Sequence, residues 1–420
     1  MKEKRHSMNN LTSFQRKFFL FLLLLIILNL MCVGCDSFKN GRNELEIPKS
    51  TQSYEKKDII TFKGEVHEVY YQGDGNLLVR SSYDSCIYNS DGKLIYKDSD
   101  GVLASYILGN KISLIHNNET SFYTAIDLNT NEEIVFDHDY LPSAYEDGLY
   151  VVRENPTAKY GMLNDKNEII IPFQYESLSC FDKKGLAIAS KDGKLYGAID
   201  KNNNVVIPFK YNFLYPFDLR MAFSGSVGNF FDDYTQTYDY TRAVVNREGE
   251  ECIIDRKGNI VLDLTNSEYK PCRMSGYRCG GLGLIPVTLD NACGFINMQG
   301  KLIIPCKYNK ICTDFFNGYA VVTVGDDSGL INSEDKKIIP FEYYYLGPPD
   351  QKGFLLAKKS ENSPYQIIDL AGNIVYEAPE SHMIEEIGGG FFIEKMPDSA
   401  SDTEDEKESR EITVFTFNKK

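Results

Sequence analysis

Twenty residues recur along this chain. KYGMLNDKNEIIIPFQYESL, residues 159–178, returns as LYGAIDKNNNVVIPFKYNFL at 195–214, ACGFINMQGKLIIPCKYNKI at 292–311 and DSGLINSEDKKIIPFEYYYL at 327–346. The four align without a gap. Pro172, Pro208, Pro305 and Pro340 fall in register, and Tyr175, Tyr211, Tyr308 and Tyr343 each follow three residues later. Looser copies contain CIYNSDGKLIY from Cys86, TAIDLNTNEEIVF from Thr124, CIIDRKGNIVL from Cys252 and QIIDLAGNIVY from Gln366. Marked at the glycine position, the units stand at 86, 124, 161, 197, 252, 294, 329 and 366, mostly 35 to 42 residues apart. A motif repeated at this period cannot bury its own apolar face and does so against its copies, so the chain must be a repeat array.

Each unit reads as short antiparallel strands. Gly-x-Ile-Asp is one strand; an Asp/Asn/Lys/Gly-rich turn such as 200–204 reverses the chain. Val-Val-Ile-Pro is the return strand, which the proline is expected to end because it cannot donate to a ladder. Further strands follow, such as GLAIAS at 185–190 and GYAVVTV at 318–324. Twenty-eight Tyr and 25 Phe with no Trp suit a pleated, half-buried surface. The expected fold is all-β: about eight units of three or four strands forming a β-propeller. Residues 58–71 and 412–418 are strand-like and fall outside complete units, so together they are expected to close the ring. An open β-solenoid is the alternative, at the cost of exposed edges.

In this arrangement the chain resembles the WG-repeat (WG-containing β-repeat) proteins, whose unit runs aromatic-Gly-x-Ile-Asp, turn, Val-Ile-Pro, Tyr and then a Gly-led strand. Tyr160-Gly161 and Tyr196-Gly197 stand where that family has Trp-Gly, while Cys293-Gly294 and Ser328-Gly329 keep the glycine alone. The resemblance covers about residues 75–380.

Ahead of the repeats, five basic residues within 1–17 precede the apolar run FFLFLLLLIILNLMCVGC at 18–35. That order is the signature of a secretory signal. Val33-Gly34-Cys35 resembles a bacterial lipobox, which implies a signal over 1–34 and lipid attachment at Cys35; an uncleaved membrane-spanning helix is the alternative. Polar residues 35–57 read as a flexible tether, and 58–420 as the repeat domain with insertions at 224–241 and 397–411. Residues 35–420 hold 40 basic against 59 acidic residues, a formal charge of −19. So negative a body repels nucleic acid. The expected location is the cell membrane, lipid-anchored and facing outside the cytoplasm.

Function is sought where the repeat breaks, because loops on a rigid scaffold carry binding groups. The 55-residue step between 197 and 252 holds SGSVGNFFDDYTQTYDYT at 224–241, where Phe230, Phe231, Tyr234, Tyr238 and Tyr240 are candidate partner-binding residues. The acidic 397–411 stretch has no core-forming residues and reads as a solvated loop. Asp200-x-Asn202-x-Asn204 lacks the glycine and the final acid of a calcium loop, so it reads as a hairpin turn. No CxxC pair exists and the five histidines are scattered, so no metal site is assigned. Cys86, Cys252 and Cys306 stand at repeat positions and read as small hydrophobes, and Cys272 with Cys279 is a candidate disulfide. No catalytic residue and no cofactor is assigned. The expectation is a non-enzymatic, monomeric envelope scaffold binding an as yet unknown protein or glycan. The alternative is a hydrolase using an acidic pair in a propeller's central pocket.

Overall fold

The computed structural model describes residues 45–48, 52–63, 66–71, 75–81, 85–98, 106–108, 112–117, 122–127, 130, 132–136, 140–155, 157–217, 239–245, 250–272, 283–396 and 411–420. Among them every regular element is a strand, and the strands form nine antiparallel sheets of four. Eight are consecutive meanders, here numbered 1 to 8: residues 66–98, 106–135, 140–175, 177–211, 213–263, 270–308, 310–343 and 345–377. Every glycine-position mark falls in the third strand of one of these eight. Sheet 9 joins the two ends of the chain. Its order is Met383–Gly388, Phe391–Lys395, Glu411–Lys419 and, on the outside, Tyr54–Lys63.

This is the β-propeller expected from the repeats, with the eight units and a ninth, composite sheet that closes the ring. Closure is visible in the packing. Phe392, Phe415 and Phe417 of sheet 9 pack with Phe354 and Ile367 of sheet 8, while Phe391, Ile393 and Val414 pack with Val69, Tyr71 and Leu77 of sheet 1. Comparable apolar clusters join sheets 2 to 3, 3 to 4 and onward to 8. The open solenoid is thereby set aside. Two boundaries differ from expectation. Strand Tyr54–Lys63 alone enters the closing sheet, and Val66–Tyr71 instead opens sheet 1. The tether also ends earlier than residue 57. Leu45 N–H donates to the Asn317 carbonyl (3.1 Å) and its own carbonyl accepts from Tyr319 Oη (2.7 Å), so backbone and side chain are docked.

The recurrent twenty residues span three strands: the third and fourth of one sheet and the first of the next. Proline does not end the return strand. Pro172 lies within Ile169–Tyr175 and Pro208 within Val205–Tyr211, both exposed. The physical reason is position: the fourth strand is a sheet edge, where a missing N–H breaks no ladder bond. At the proline the strand bulges, so Tyr160 opposes Tyr175 and Met162 opposes Ile171, four residues against two. The bulge crosses directly over the glycine. A Cβ on Gly161 would lie 2.6 Å from the Ile171 carbonyl oxygen, and one on Gly294 would lie 2.5 Å from that of Ile304. Units without the proline run past that point in continuous register, as Cys252 opposite Asp263 and Gln366 opposite Glu377, and there a side chain is tolerated. Glycine and proline therefore form one device.

The repeated tyrosine stitches sheet to sheet. Tyr175 Oη donates to Asn203 Oδ1 (2.7 Å) and Tyr308 Oη to Asp335 Oδ1 (2.5 Å), in each case the left-handed residue of the next sheet's turn. Where that residue is Gly258, the buried Tyr211 hydroxyl has no protein partner. The turns are themselves capped: Asp200 Oδ1 accepts from the N–H groups of Asn202 (2.9 Å) and Asn204 (2.8 Å), and Asp255 and Asp369 do the same.

Two outcomes follow. Gly161→Ala is expected to lose about 1–3 kcal/mol by forcing the bulge off the third strand, read as a lower urea midpoint. Tyr175→Phe is expected to lose about 0.5–1.5 kcal/mol, and Tyr211→Phe, which removes no bond, should be neutral or stabilising in the same assay.

Candidate functional site at the closing seam

Phe230, Phe231, Tyr234, Tyr238 and Cys35 lie outside the described residues. Tyr240 is described. It is the first residue of strand Tyr240–Val244, opposite Asp255, and packs half-buried on the cluster of Ile253, Leu264 and Ile285 between sheets 5 and 6. Beside it Asp239 pairs with Lys184 (2.5 Å). Phe217 and Asp239, the ends flanking 218–238, belong to the connection between the first and second strands of sheet 5. The first-to-second connections of sheets 7 and 8, at Asn317 and Gly353, lie against Leu45. Cys279 is likewise outside the described residues; Cys272 Sγ lies 3.6 Å from Cys293 Sγ, both buried. Cys252 is fully buried in the cluster between sheets 4 and 5.

The strongest departure from the repeat's own chemistry lies between sheets 8 and 9. The hairpin Asp350-Gln351-Lys352-Gly353-Phe354 repeats the geometry of Asp182-Lys183-Lys184-Gly185-Leu186 in sheet 4. In both, Oδ1 of the aspartate accepts two N–H groups: from Lys184 (2.9 Å) and Leu186 (3.0 Å), or from Lys352 (2.8 Å) and Phe354 (2.8 Å). Their surroundings differ. Arg256 of sheet 5 donates to Asp182 Oδ1 (2.7 Å) and lies 2.7 Å from Oδ2, which is itself left without a hydrogen bond. Asp350, 3% exposed, has no hydrogen-bond partner for Oδ2. At the corresponding place sheet 9 has the meeting point of the chain ends, where Lys420 N–H bonds to the Ser53 carbonyl (3.1 Å).

The rest of the seam deepens that imbalance. Lys352 Nζ donates to Thr416 Oγ1 (2.7 Å), which donates to the Gly390 carbonyl (2.6 Å). Burial pushes the Asp350 carboxyl up to about 6, against the lowering effect of the Phe354, Lys352 and Gly353 N–H groups and of the Lys352 charge. Half-buried Glu386, on the first strand of sheet 9, is raised well above the ordinary carboxylate range, first by burial and then by the negative charge of Asp350. Glu386 is also the electrostatic neighbour of Tyr345, which is 45% exposed, and Tyr344 beside it is 54% exposed. Glu394 of the same sheet behaves otherwise. It accepts from Lys56 (2.9 Å) and Tyr376 (2.8 Å) and lies 2.9 Å from His382, and although burial opposes it, those bonds hold its carboxyl below the usual range.

Sequence reasoning found neither Asp350 nor Glu386. The available signal was the shared D-x-K-G hairpin, together with the absence after residue 377 of an arginine equivalent to Arg256.

The sign of the pH effect follows from the raised folded value. Between about 4 and about 6 the folded chain holds a proton on Asp350 that the unfolded chain has lost, so stability falls as pH rises through that window. The expected penalty at pH 7.5 is about 2–4 kcal/mol. Asp350→Asn keeps the Oδ1 acceptor and removes the charge, so it is expected to raise the pH 7.5 unfolding midpoint and flatten its decline from pH 4 to 7.

Against known proteins, the WG containing repeat matches at residues 160–194, 196–218, 294–326 and 329–362. Among curated proteins no relative matches. Solved structures similar to this chain include BamB from Moraxella catarrhalis (9% identity, 86% of this chain and 100% of that one, TM-score 0.37). A eukaryotic initiation factor (9%, 78% and 96%, 0.46) and the Cps50 (Swd1) β-propeller domain of Myceliophteria thermophila (8%, 86% and 99%, 0.30) are also similar. Over those four stretches the chain carries the WG containing repeat, and the ring extends the same plan to units whose sequence has drifted.

Proposed function

We propose that this protein is a non-enzymatic scaffold of the cell envelope, anchored by lipid at Cys35, whose propeller binds another macromolecule, protein or glycan. The observation that carries this reading is the closing seam, where Tyr344 and Tyr345 are exposed and Tyr345 has Glu386 as its electrostatic neighbour. Elsewhere the recurring polar side chains are committed to the fold: Asn164, Asp200, Asp255, Asn297, Asn332 and Asp369 each cap their own turn. Exposed aromatic side chains beside desolvated polar groups are the usual composition of a recognition hot spot. The aromatic stretch containing Phe230, Phe231, Tyr234, Tyr238 and Tyr240 is the second contact surface in this reading.

A hydrolase reading draws on the same pair, because Asp350 and Glu386 are shifted carboxyls in one place. Acid–base work needs two environments that separate their partners, one ionised and one protonated. Here both carboxyls move upward, which favours the binding scaffold.

The test is photo-crosslinking in living cells, with a reactive residue at Tyr345 or Tyr234 and a control at exposed Lys201. One dominant partner captured from either tyrosine position and not from Lys201 is the expected result. Equal, diffuse labelling from all three would sink the scaffold reading.

A further inference from the structure

The chain enters the propeller on one face. Leu45 N–H donates to the Asn317 carbonyl (3.1 Å), its own carbonyl accepts from Tyr319 Oη (2.7 Å), and its side chain packs on the cluster of Tyr319, Leu346 and Leu355. Asn317 and Gly353, beside Leu45, belong to the first-to-second hairpins of sheets 7 and 8. Successive connections of an antiparallel meander alternate between the two ends of its sheet. Single residues, Glu176, Asn212, Asn309 and Tyr344, link sheet 3 to 4, 4 to 5, 6 to 7 and 7 to 8, so each of these sheets starts at the end where the last one stopped. First-to-second and third-to-fourth turns therefore share the Leu45 face. Second-to-third turns and the links between sheets, with exposed Tyr344 and Tyr345, occupy the opposite face.

Contour length turns this topology into an orientation. Leu45 lies ten residues after Cys35, a span of at most about 35 Å. To bring an anchor at Cys35 round to the opposite face, the chain would have to pass three interstrand spacings, about 14 Å, and then a strand such as Lys337–Tyr343, about 23 Å. That path is longer than the tether. We infer that the propeller is held with its Leu45 face toward the lipid bilayer and presents the Tyr344–Tyr345 face to its partner, away from the membrane. The inference rests on lipid attachment at Cys35 and on the scaffold reading, and it names the face that the partner meets. Docking of Leu45 is what keeps the tether short: from Cys35 to Ser53, where the closing sheet begins, the free chain would be eighteen residues and could pass the rim.

The outer margin of the Leu45 face suits a layer of lipid headgroups. In adjacent sheets 4, 5 and 6 an exposed lysine of the third-to-fourth turn is followed by an exposed aliphatic residue: Lys201 and Val205, Lys257 and Ile260, Lys301 and Ile303. Asp200 and Asp255 in two of those turns are engaged in capping N–H groups. Lysine reaches phosphate oxygens while the aliphatic side chain meets the apolar boundary beneath them.

The experiment uses the full lipidated chain, extracted from membranes in detergent and reconstituted into phosphatidylcholine vesicles carrying a dansyl-labelled headgroup lipid. Because the chain has no Trp, one introduced Trp is a selectively excitable donor for energy transfer. Lys201→Trp and Lys336→Trp report the Leu45 face, Tyr344→Trp and Glu361→Trp the opposite one; all four positions are exposed, and circular dichroism checks the fold of each variant. Strong transfer is expected from the first two and weak transfer from the second two. Doubling the tether with a Gly-Ser insertion after Asn40 leaves the propeller untouched and should erase the difference, and Leu45→Gly should reduce it. Equal transfer from both faces with the native tether, or stronger transfer from Tyr344→Trp, would overturn the orientation, and a difference that survives the insertion would overturn the tether as its cause. Mass spectrometry of the same preparation separates the two claims. Absence of lipid on Cys35 removes the anchor and the orientation together, whereas lipid on Cys35 with both faces alike leaves the anchor standing and removes the orientation.

Discussion

The pairing of Tyr54–Lys63 with Glu411–Lys419 is the interaction on which the ring depends. Eight meanders alone would leave sheet 8 and sheet 1 each with an uncovered apolar face, Phe354 and Ile367 on one side, Val69 and Leu77 on the other. Sheet 9 covers both, and it exists only when the chain's two ends meet. Its register runs unbroken from Tyr54 opposite Lys419 to Lys63 opposite Glu411 apart from one irregularity between Asp58 and Ile60. The Lys56–Glu394–Tyr376 contact ties that outer strand to sheet 8 as well. Contacts so distant in sequence are costly to form in loop-closure entropy.

Within each unit the governing constraint is the bulge at the proline. An edge strand bearing Ile169, Val205 or Ile303 on its exposed side is the kind of edge that pairs with another chain. Proline removes a donor there and deflects the strand, and the deflected backbone then forbids a Cβ on the third strand. This explains why the strict units keep both residues and the drifted units have lost both. Units at Cys252 and Gln366 pair directly at that position, with the register shift one residue later, and hold a side chain there; Cys252 is fully buried.

Most of the architecture was legible because the repeat writes it several times over. The third strand, the Asx-capped turn and the return strand carry period-two alternation and fixed turn residues, and the need for a terminal closing sheet followed from strand-like ends such as 412–418. The extent of the return strand was not legible, since a proline inside a strand signals its end unless the strand is known to be an edge. Nor was the docking of Leu45, which depends on Asn317 and Tyr319, some 270 residues away. Of the candidate contacts, Tyr240 belongs to a strand and the core beside it. Glu386 stayed hidden because it sits in no motif, and Asp350 because its D-x-K-G hairpin is shared with Asp182 and reads as a turn. What distinguishes the two aspartates is the arginine of the following sheet that ion-pairs with Asp182, and that is visible only once the hairpins are superimposed in space.

The two aspartates show how a repeat protein acquires a site. A hairpin copied between sheets 4 and 8 brings with it a carboxylate placed to receive a cation, since its Oδ1 is fixed by two N–H groups of its own loop. In sheet 4 the cation comes from the third-to-fourth turn of the following sheet. After sheet 8 the corresponding strands are Glu411–Lys419 and Tyr54–Lys63, which no short turn joins, so no counterpart of Arg256 faces Asp350, and the positive charge acting on it is that of Lys352 in its own hairpin. Glu386 then adds a second acid where a neutral residue would have relieved the charge. Two buried acids in one seam therefore cost the ring stability at neutral pH. The interruption of the repeat that closes the ring is thus also what leaves Asp350 without the arginine that Asp182 meets.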